Sequence, residues 1–540
     1  MVNGSRRDFL KVLSTAAMAG PIRLSAHPPI RPSTFDLIIR GATVFDGAGG
    51  RGHHLDIGIA GDRIVRLGPR LKGRAAEEID ARGLVVAPGF VDVHSHADGS
   101  LATDPRLESV VRQGITTVVV GADGFSRIPD DKGRAAMSDW FAEVDALSPG
   151  ANVASMVGLG RVRELVVGED DRPATPAELA RMVAMVKAAL RSGACGASAG
   201  LEYTPGAFAG VDELVALCRP LARYRLPYSP HMRNEDDRLV EAVEESLEVG
   251  RRARCPVHIA HLKTQGPRNW SKLDLVFKRM ARARRAGHDV TFDRYPYLAY
   301  QTGVSNLFPL WSRDGGDEAF LKRLADSSLT ARLSEAVEAK VALIGGWDRV
   351  MVSSVSAEAD RGAEGKRISE LGADHYQLAV GLLQRNAADV GMVGFAMSED
   401  NLERILKHPH AMVASDGGAV ALDGPRRGHP HPRSLGTFPR VLGHYVRERK
   451  VLSLGAAIRK MSSAPAGRVR LDRRGRIALG WFADLVIFDP ATVADRATFA
   501  DPFAYPEGIS VVVVNGAVAL RDGQRGPGTG RPLRPGGSRA

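Results

Sequence analysis

The spacing of apolar positions divides the chain into three stretches. Over residues 34–88, short Val/Ile runs alternate with Gly and Asp, in FDLIIRGATVFDG, HLDIGIAGDRIVRLG and EEIDARGLVVAPG. Runs of β-branched residues bounded by turn formers read as strands, so this stretch predicts a small β unit. The same style returns late in the chain, in GRIALGWFADLVIFDP and GISVVVVNGAVALRDG. The two flanking pieces, 34–88 and 466–521, are expected to pair into one small β-sandwich.

Between them the pattern changes. Apolar runs end in turn at His94-Ser95-His96, Gly121-Ala122-Asp123, Val157-Gly158, Ser198-Ala199-Gly200, His231-Met232-Arg233, His261-Leu262-Lys263, Asp293-Arg294-Tyr295 and Ser415-Asp416. Most are separated by segments with apolar positions three and four apart, such as ELARMVAMVKAALRSG and DRLVEAVEESLEVGRRAR, which is the helical period. Eight such β/α units predict a TIM-like (β/α)8 barrel over 89–465; a doubly wound parallel sheet is the alternative. The interval of about 300–405 is too long for one unit and predicts an inserted lid or subdomain. Residues 522–540 are rich in Gly, Pro and Arg and read as a disordered tail.

Composition narrows the function classes. Three cysteines, Cys195, Cys218 and Cys255, exclude a disulfide scaffold and a Cys-rich zinc module. No apolar run approaches the roughly 18 residues of a membrane span. The net charge of +11 resides mostly at the ends: +3 within residues 1–26 and +4 within 521–540. A nucleic-acid partner is therefore not expected. Ser5-Arg6-Arg7-Asp8-Phe9-Leu10-Lys11, followed by VLSTAAMAG, resembles a twin-arginine export signal. It implies the twin-arginine machinery as a partner, cleavage after Ala26, and a periplasmic or extracellular location. A basic tail is the competing reading.

The candidate chemistry begins at His94-Ser95-His96. Fifteen histidines predict about 0.4 His-x-His by chance. The chain has three, the others being His408-Pro409-His410 and His429-Pro430-His431. Context separates the first: it follows the apolar run VVAPGFVDV. Residues i and i+2 of a strand face the same side, so His94 and His96 would project together at the C-terminal end of a barrel strand, where barrel sites lie. His231 and His261 end two further predicted strands, and Asp416 ends the last. The bland readings are core histidines and, for Ser-Asp-Gly-Gly, a turn aspartate. Four histidines at three strand ends favour a divalent metal, with Asp416 as a candidate proton carrier.

These segments resemble the amidohydrolase superfamily, and within it the N-acyl-D-amino-acid deacylases, from about residue 35 to 520. The motifs are PGFVDVHSHAD (88–98), VRQGITTVVVG (111–121), GASAGLEYTPG (196–206), HMRNEDDRL (231–239), HLK (261–263), DRYPY (293–297), ASDGG (414–418), HPRSLGTFPRVL (431–442) and FADLVIFDP (482–490). The resemblance implies a distorted (β/α)8 barrel with a small β-sandwich from both chain ends. It implies one or two Zn2+ held by His94, His96, His231 and His261, hydroxide supplied by the metal as nucleophile, and Asp416 as general base and acid. It also implies an N-acyl-D-amino acid substrate whose carboxylate meets Lys263 and Tyr295, with Tyr203 a further substrate contact. Two departures stand out. The family's Gly-Asn-Cys-Gly after strand two, whose Cys ligates the metal, is here Gly121-Ala122-Asp123-Gly124, which makes Asp123 the candidate ligand in its place. The family's Gly-His-Gly after strand three is here Gly158-Leu159-Gly160. Rival readings are hydrolysis of a cyclic amide or dipeptide, and a non-catalytic binder on the same scaffold. Relatives of the former kind commonly carry a carboxylated lysine at the end of strand four, where this chain has Ser198-Ala199-Gly200-Leu201.

Overall fold

The computed structural model describes residues 34–130, 136–424 and 426–536. The export motif lies outside the described residues. Both ends of the chain build one nine-stranded sheet. Thr34–Val44 pairs antiparallel with His53–Ala60 and parallel with Arg74–Asp80 and Val85–Pro88. Val85–Pro88 then pairs antiparallel with Leu485–Phe488, in the register Leu485↔Pro88. That seam joins the first hundred residues to the last. The period-two pattern explains the layering. Leu485, Ile487, Val511 and Val513 pack into the sandwich core with Leu37, Ile39, Ile57 and Ile59. Their neighbours Val486, Phe488, Val512 and Val514 face the other way, into the barrel's apolar cluster. One sheet thus serves two cores.

The barrel has eight parallel positions. Phe90–Asp92 pairs with Ile115–Val120, and that with Asn152–Ser155. The third position continues as Val157–Gly158, which pairs with Ala197–Gly200. Tyr228–His231, Val257–Ile259, Val290–Arg294 and Ala411–Val413 follow in order. Backbone bonds just beyond strands eight and one close the ring: Asp416 N–H to the His94 carbonyl and His96 N–H to the Gly417 carbonyl, both 2.9 Å. The fold is a distorted (β/α)8 barrel with a β-sandwich. Surrounding helices start conventionally. In Pro176–Arg191, Thr175 and Glu178 form a reciprocal capping box with Pro at the first turn, satisfying amides that a helix start leaves free.

Two expectations need correction. The inserted unit is a three-stranded antiparallel sheet of Tyr300–Gly303, Val390–Gly394 and Val350–Val355, with helices Gly316–Ala325, Thr330–Ile344 and His375–Arg385 around a core of its own. It ends before residue 405, because the helix Glu399–Lys407 buries Leu402, Ile405 and Leu406 against the barrel. The described part of 522–540 is not a disordered tail. Gln524–Arg525 extends the sheet, and Arg531 and Leu533 bond to the backbone of Val153 on strand three (3.0 and 2.8 Å). The glycines that suggested disorder allow this close approach: a Cβ on Gly528 would stand 1.9 Å from the Ser148 carbonyl, and one on Gly530 2.1 Å from that of Ala151.

Candidate metal centre

The C-terminal ends of strands one, two, five, six and eight bring six side chains to one point. At its centre is Asp123. Oδ1 lies 3.4 Å from His94 Nε2 and 3.6 Å from His261 Nε2. Oδ2 lies 3.5 Å from His96 Nε2 and 3.7 Å from His231 Nδ1. Asp416 Oδ1 joins from the far side, 3.1 Å from His96 Nε2 and 3.5 Å from His94 Nε2. One potential ligand atom each from His94, Asp123, His261 and Asp416 lies within 4.8 Å of the others, and all four residues are buried.

The donor atoms fit a metal. His94 Nε2, Asp123 Oδ1 and His231 Nδ1 are all buried and have no hydrogen-bond partner. Buried polar atoms are nearly always satisfied, and three orphans converging on one point are what a cation would satisfy. Imidazole with carboxylate is a donor set suited to zinc and its neighbours. The backbone is also committed to this arrangement. Asp123, His261 and Asp416 have φ of +50°, +34° and +52°, left-handed values that cost a non-glycine residue energy and cluster at functional sites.

Neighbouring glycines let the Asp123 turn tuck in. Gly124 has φ +84°, and a Cβ there would meet Gly200 N at 2.6 Å; a Cβ on Gly200 would meet the Asp123 carbonyl at 2.1 Å. Strands two and four approach this closely because neither carries a side chain at the contact.

Outer groups hold the ligands in place. Asp293, fully buried on strand seven, accepts from the His261 amide (2.8 Å), pairs with His258 Nε2 (2.9 Å) and faces His94 Nδ1 at 3.7 Å. Asp92 accepts from the Ser415 amide (2.9 Å) and hydroxyl, tying strand one to strand eight. Glu235 accepts from Lys263 Nζ at 2.6 Å through both oxygens and from Gln265 (2.8 Å), and stands 3.1 Å from His261 Nδ1. His261 Nδ1 also lies 2.6 Å from Lys263 Nζ, so Glu235 and Lys263 together hold the ring with its Nε2 facing Asp123, as outer groups orient metal-binding histidines.

Arg433 Nη1 donates to Asp416 Oδ2 at 2.5 Å. Burial alone would push Asp416 toward its neutral form, but the Arg433 guanidinium and the imidazoles of His94 and His261 hold it well below the ordinary carboxylate range. Asp123 is kept ionised in the same way: burial opposes, and the His94 and His261 imidazoles prevail.

The expected substrate contacts line the same cavity of about 270 Å³, which also takes in Phe125, Glu202, Arg433 and, from the inserted unit, Tyr300–Gly303. The Tyr295 hydroxyl is buried and has no hydrogen-bond partner; its ring lies 4.1 Å from the Arg294 guanidinium and 4.8 Å from that of Arg433. Lys263 reaches the cavity from its pairing with Glu235. The Tyr203 ring stands 4.6 Å from that of His231. The other two His-x-His pairs lie elsewhere. The ring of His408 packs on Phe277 at 4.7 Å, and buried His431 bonds the Ala299 carbonyl at 2.9 Å. A larger open basin of about 1180 Å³ sits under strands five to eight at the opposite end of the barrel, bordered by Arg225, Arg254 and Arg468 among others; none of the candidate ligands borders it. Glu235, Arg433, Asp293 and Glu202 were not singled out from sequence, although each lies within or beside a motif that was.

A model of the amidohydrolase family matches residues 77–276 and 382–520. An N-acyl-D-glutamate deacylase of Alcaligenes xylosoxydans xylosoxydans is 35% identical over 92% of this chain and 96% of its own. A D-aminoacylase of the same organism is 36% identical over 89% and 94%. The crystal structure of N-acyl-D-glutamate deacylase from Bordetella bronchiseptica, complexed with zinc and a phosphonate mimic of the tetrahedral intermediate, matches with a TM-score of 0.79 and 34% identity, covering 93% of this chain and all of that one. With a family model matched across most of the barrel and relatives of this identity aligned nearly end to end, the chain belongs to the amidohydrolase family.

Proposed function

We propose that the protein hydrolyses the amide bond of N-acyl-D-amino acids at a zinc centre of one or two ions held by His94, His96, His231, His261 and Asp123. The observation that carries this reading is the convergence of the orphaned atoms of His94, Asp123 and His231 beside an ionised Asp416. The zinc-bound deacylase of similar fold and the deacylases of similar sequence support the choice of metal and substrate. Zinc in this position would polarise the scissile carbonyl and supply hydroxide near neutral pH.

The chain's own residues then have separable tasks. Asp416 accepts the proton from the attacking water and returns it to the leaving nitrogen. Arg433 keeps Asp416 ionised and fixes its orientation, leaving Oδ1 turned toward the histidines. Tyr295, whose hydroxyl has a free donor, and Lys263 receive the substrate carboxylate. Glu235 positions both Lys263 and His261, so it couples the carboxylate site to the metal site. Tyr203 and the inserted residues 300–303 bound the cavity and limit access of water. Asp123 stands where the family has a thiolate and would offer a harder ligand, its two oxygens each facing a different pair of histidines.

The reading includes export by the twin-arginine route. Its support is the SRRDFLK motif at residues 5–11, and replacement of Arg6 and Arg7 by Lys is expected to leave the protein in the cytoplasm; unchanged export would refute it. The catalytic reading is tested by assaying purified protein on N-acetyl-D- and N-acetyl-L-amino acids. Hydrolysis of the D series in preference to the L series is expected. No hydrolysis of either would overturn the reading, and a preference for L would overturn its stereochemistry.

A further inference from the structure

Glu202 stands two residues beyond the strand Ala197–Gly200 and borders the catalytic pocket. Its side chain faces two ways. Oε2 lies 3.2 Å from His231 Nε2. Oε1 lies 3.5 Å from Nζ of Lys340, on the inserted helix Thr330–Ile344. Lys340 also reaches Asp236 Oδ2, at 2.7 Å. The Glu202 backbone carbonyl accepts from Arg313 Nη1 at 3.2 Å. The inserted unit therefore grips this residue at both its main chain and its side chain.

The contact with His231 decides which nitrogen of that ring is available. The ring is buried, and packing fixes its plane: its centroid lies 4.6 Å from that of Tyr203 and 4.5 Å from that of His261. Packing does not choose where the hydrogen sits. A neutral imidazole has one donor and one acceptor nitrogen, and the hydrogen bond made by one sets the role of the other. A carboxylate accepts, so Nε2 donates to Glu202 and the lone pair falls on Nδ1. Nδ1 is the atom that faces Asp123 Oδ2 at 3.7 Å, buried and with no hydrogen-bond partner. A lone pair at that atom is what ligation requires.

The helix that carries Lys340 is seated firmly on the barrel. Gly266, in the loop after strand six, has φ +82°, and a Cβ there would stand 2.0 Å from the Leu343 carbonyl. The Gly266 amide and Trp270 Nε1 both donate to the carbonyl of Ala396, just past the last inserted strand, at 2.9 and 3.0 Å.

We propose that Glu202 is a positioning residue for His231 and that the inserted unit holds it there through Lys340, so that the insert takes part in metal binding without supplying a ligand. The inference rests on the reading of His231 as a metal ligand and deepens it. A carboxylate behind a ligating imidazole fixes its tautomer and orientation, and losing such a partner typically costs about 10- to 100-fold in metal affinity.

The test is zinc affinity of the full-length protein, measured by competition with a chromophoric chelator, beside Tm of the metal-free form. Glu202→Ala is expected to weaken zinc binding by about 10- to 100-fold. Glu202→Gln should lose less, because its amide oxygen still accepts from Nε2. Lys340→Met is expected to weaken binding by about two- to fivefold, the scale of a partly exposed ion pair, and Lys340→Arg to restore it. In a Glu202→Ala background Lys340→Met should cost nothing further, since Lys340 acts through Glu202. A residue that serves only the fold would lower Tm and leave zinc affinity untouched. Wild-type zinc affinity in Glu202→Ala would therefore overturn the proposal, and an equal loss from Lys340→Met with and without the Glu202 carboxylate would overturn the part played by the insert. If Glu202→Ala does not fold, Glu202→Gln takes its place in both comparisons. Wild-type protein that binds no zinc would bring down the metal centre itself, an outcome distinct from variants that bind zinc as the wild type does.

Discussion

Replacing Asp123 probes one of the two departures from the motifs of the deacylases that the chain resembles. Its carboxylate stands 3.4–3.7 Å from nitrogens of four histidines, and Asp416 faces two of the same histidines. Asp123→Ala therefore removes the anion from the proposed ligand set of His94, His96, His231, His261 and Asp123 and leaves imidazoles facing a void. Loss of a group that merely orients a ligand weakens metal binding by about 10- to 100-fold. Loss of a ligand itself is expected to exceed that, so zinc affinity should fall at least 100-fold, or about 2.7 kcal/mol. Metal retained after dialysis against graded chelator, measured by elemental analysis, reads this without reference to activity. Asp123→Cys rebuilds the family's thiolate and is expected to hold zinc at least as tightly as the wild type. Its cobalt form should gain a thiolate-to-metal charge-transfer band that the wild-type cobalt form lacks. An Asp123→Ala protein that keeps metal with unchanged affinity, losing only stability, would show that the residue does no more than make a turn.

Asp416→Asn is expected to leave the circular dichroism spectrum unchanged and to lower kcat by about 10²–10⁴; turnover within a few fold of wild type would remove it from proton transfer. Gly200→Ala would place a Cβ 2.1 Å from the Asp123 carbonyl. It should push that turn outward and weaken metal retention although no ligand changes, and unaltered retention would show that the turn is free to shift. Glu178, in the capping box, is drawn down to about 2 by Arg172 and by the Thr175 amide and hydroxyl. A lowered carboxylate pKa contributes stability above its unfolded value that is lost as pH falls through the folded one. Glu178→Gln should therefore lower Tm at pH 7, with the gap to wild type closing between about pH 4.5 and 2; a gap independent of pH would place the effect elsewhere.

Much of the barrel could be read from the chain because several strand ends were marked by a histidine or aspartate closing an apolar run. His94, His231 and His261 follow apolar runs directly, and each stands at the common site. The boundary of the inserted unit was harder to see. The helix Glu399–Lys407 shows the same i, i+3, i+4 spacing whether it packs on the insert or on the barrel, and only the partner surface decides. Residues 522–536 misled for a related reason. Gly528 and Gly530 look like the composition of a flexible tail, yet glycine is equally what a segment needs to lie against another backbone at van der Waals contact. At the site, the inner ligands carried a positional signal. Arg433 and Glu235 did not, since each owes its place to long-range pairing: Arg433 with Asp416 across 17 residues, and Glu235 with Lys263 across 28. Their charges gave no indication of a buried partner in advance.

The most direct measurement is the hydrolysis of an N-acetyl-D-amino acid by protein stripped with chelator and then titrated with zinc. Activity should vanish on stripping and return in proportion to bound zinc, saturating at one or two ions per chain. Full activity in protein shown by elemental analysis to be free of metal would contradict the reading of His94, His96, Asp123, His231 and His261 as a catalytic metal centre.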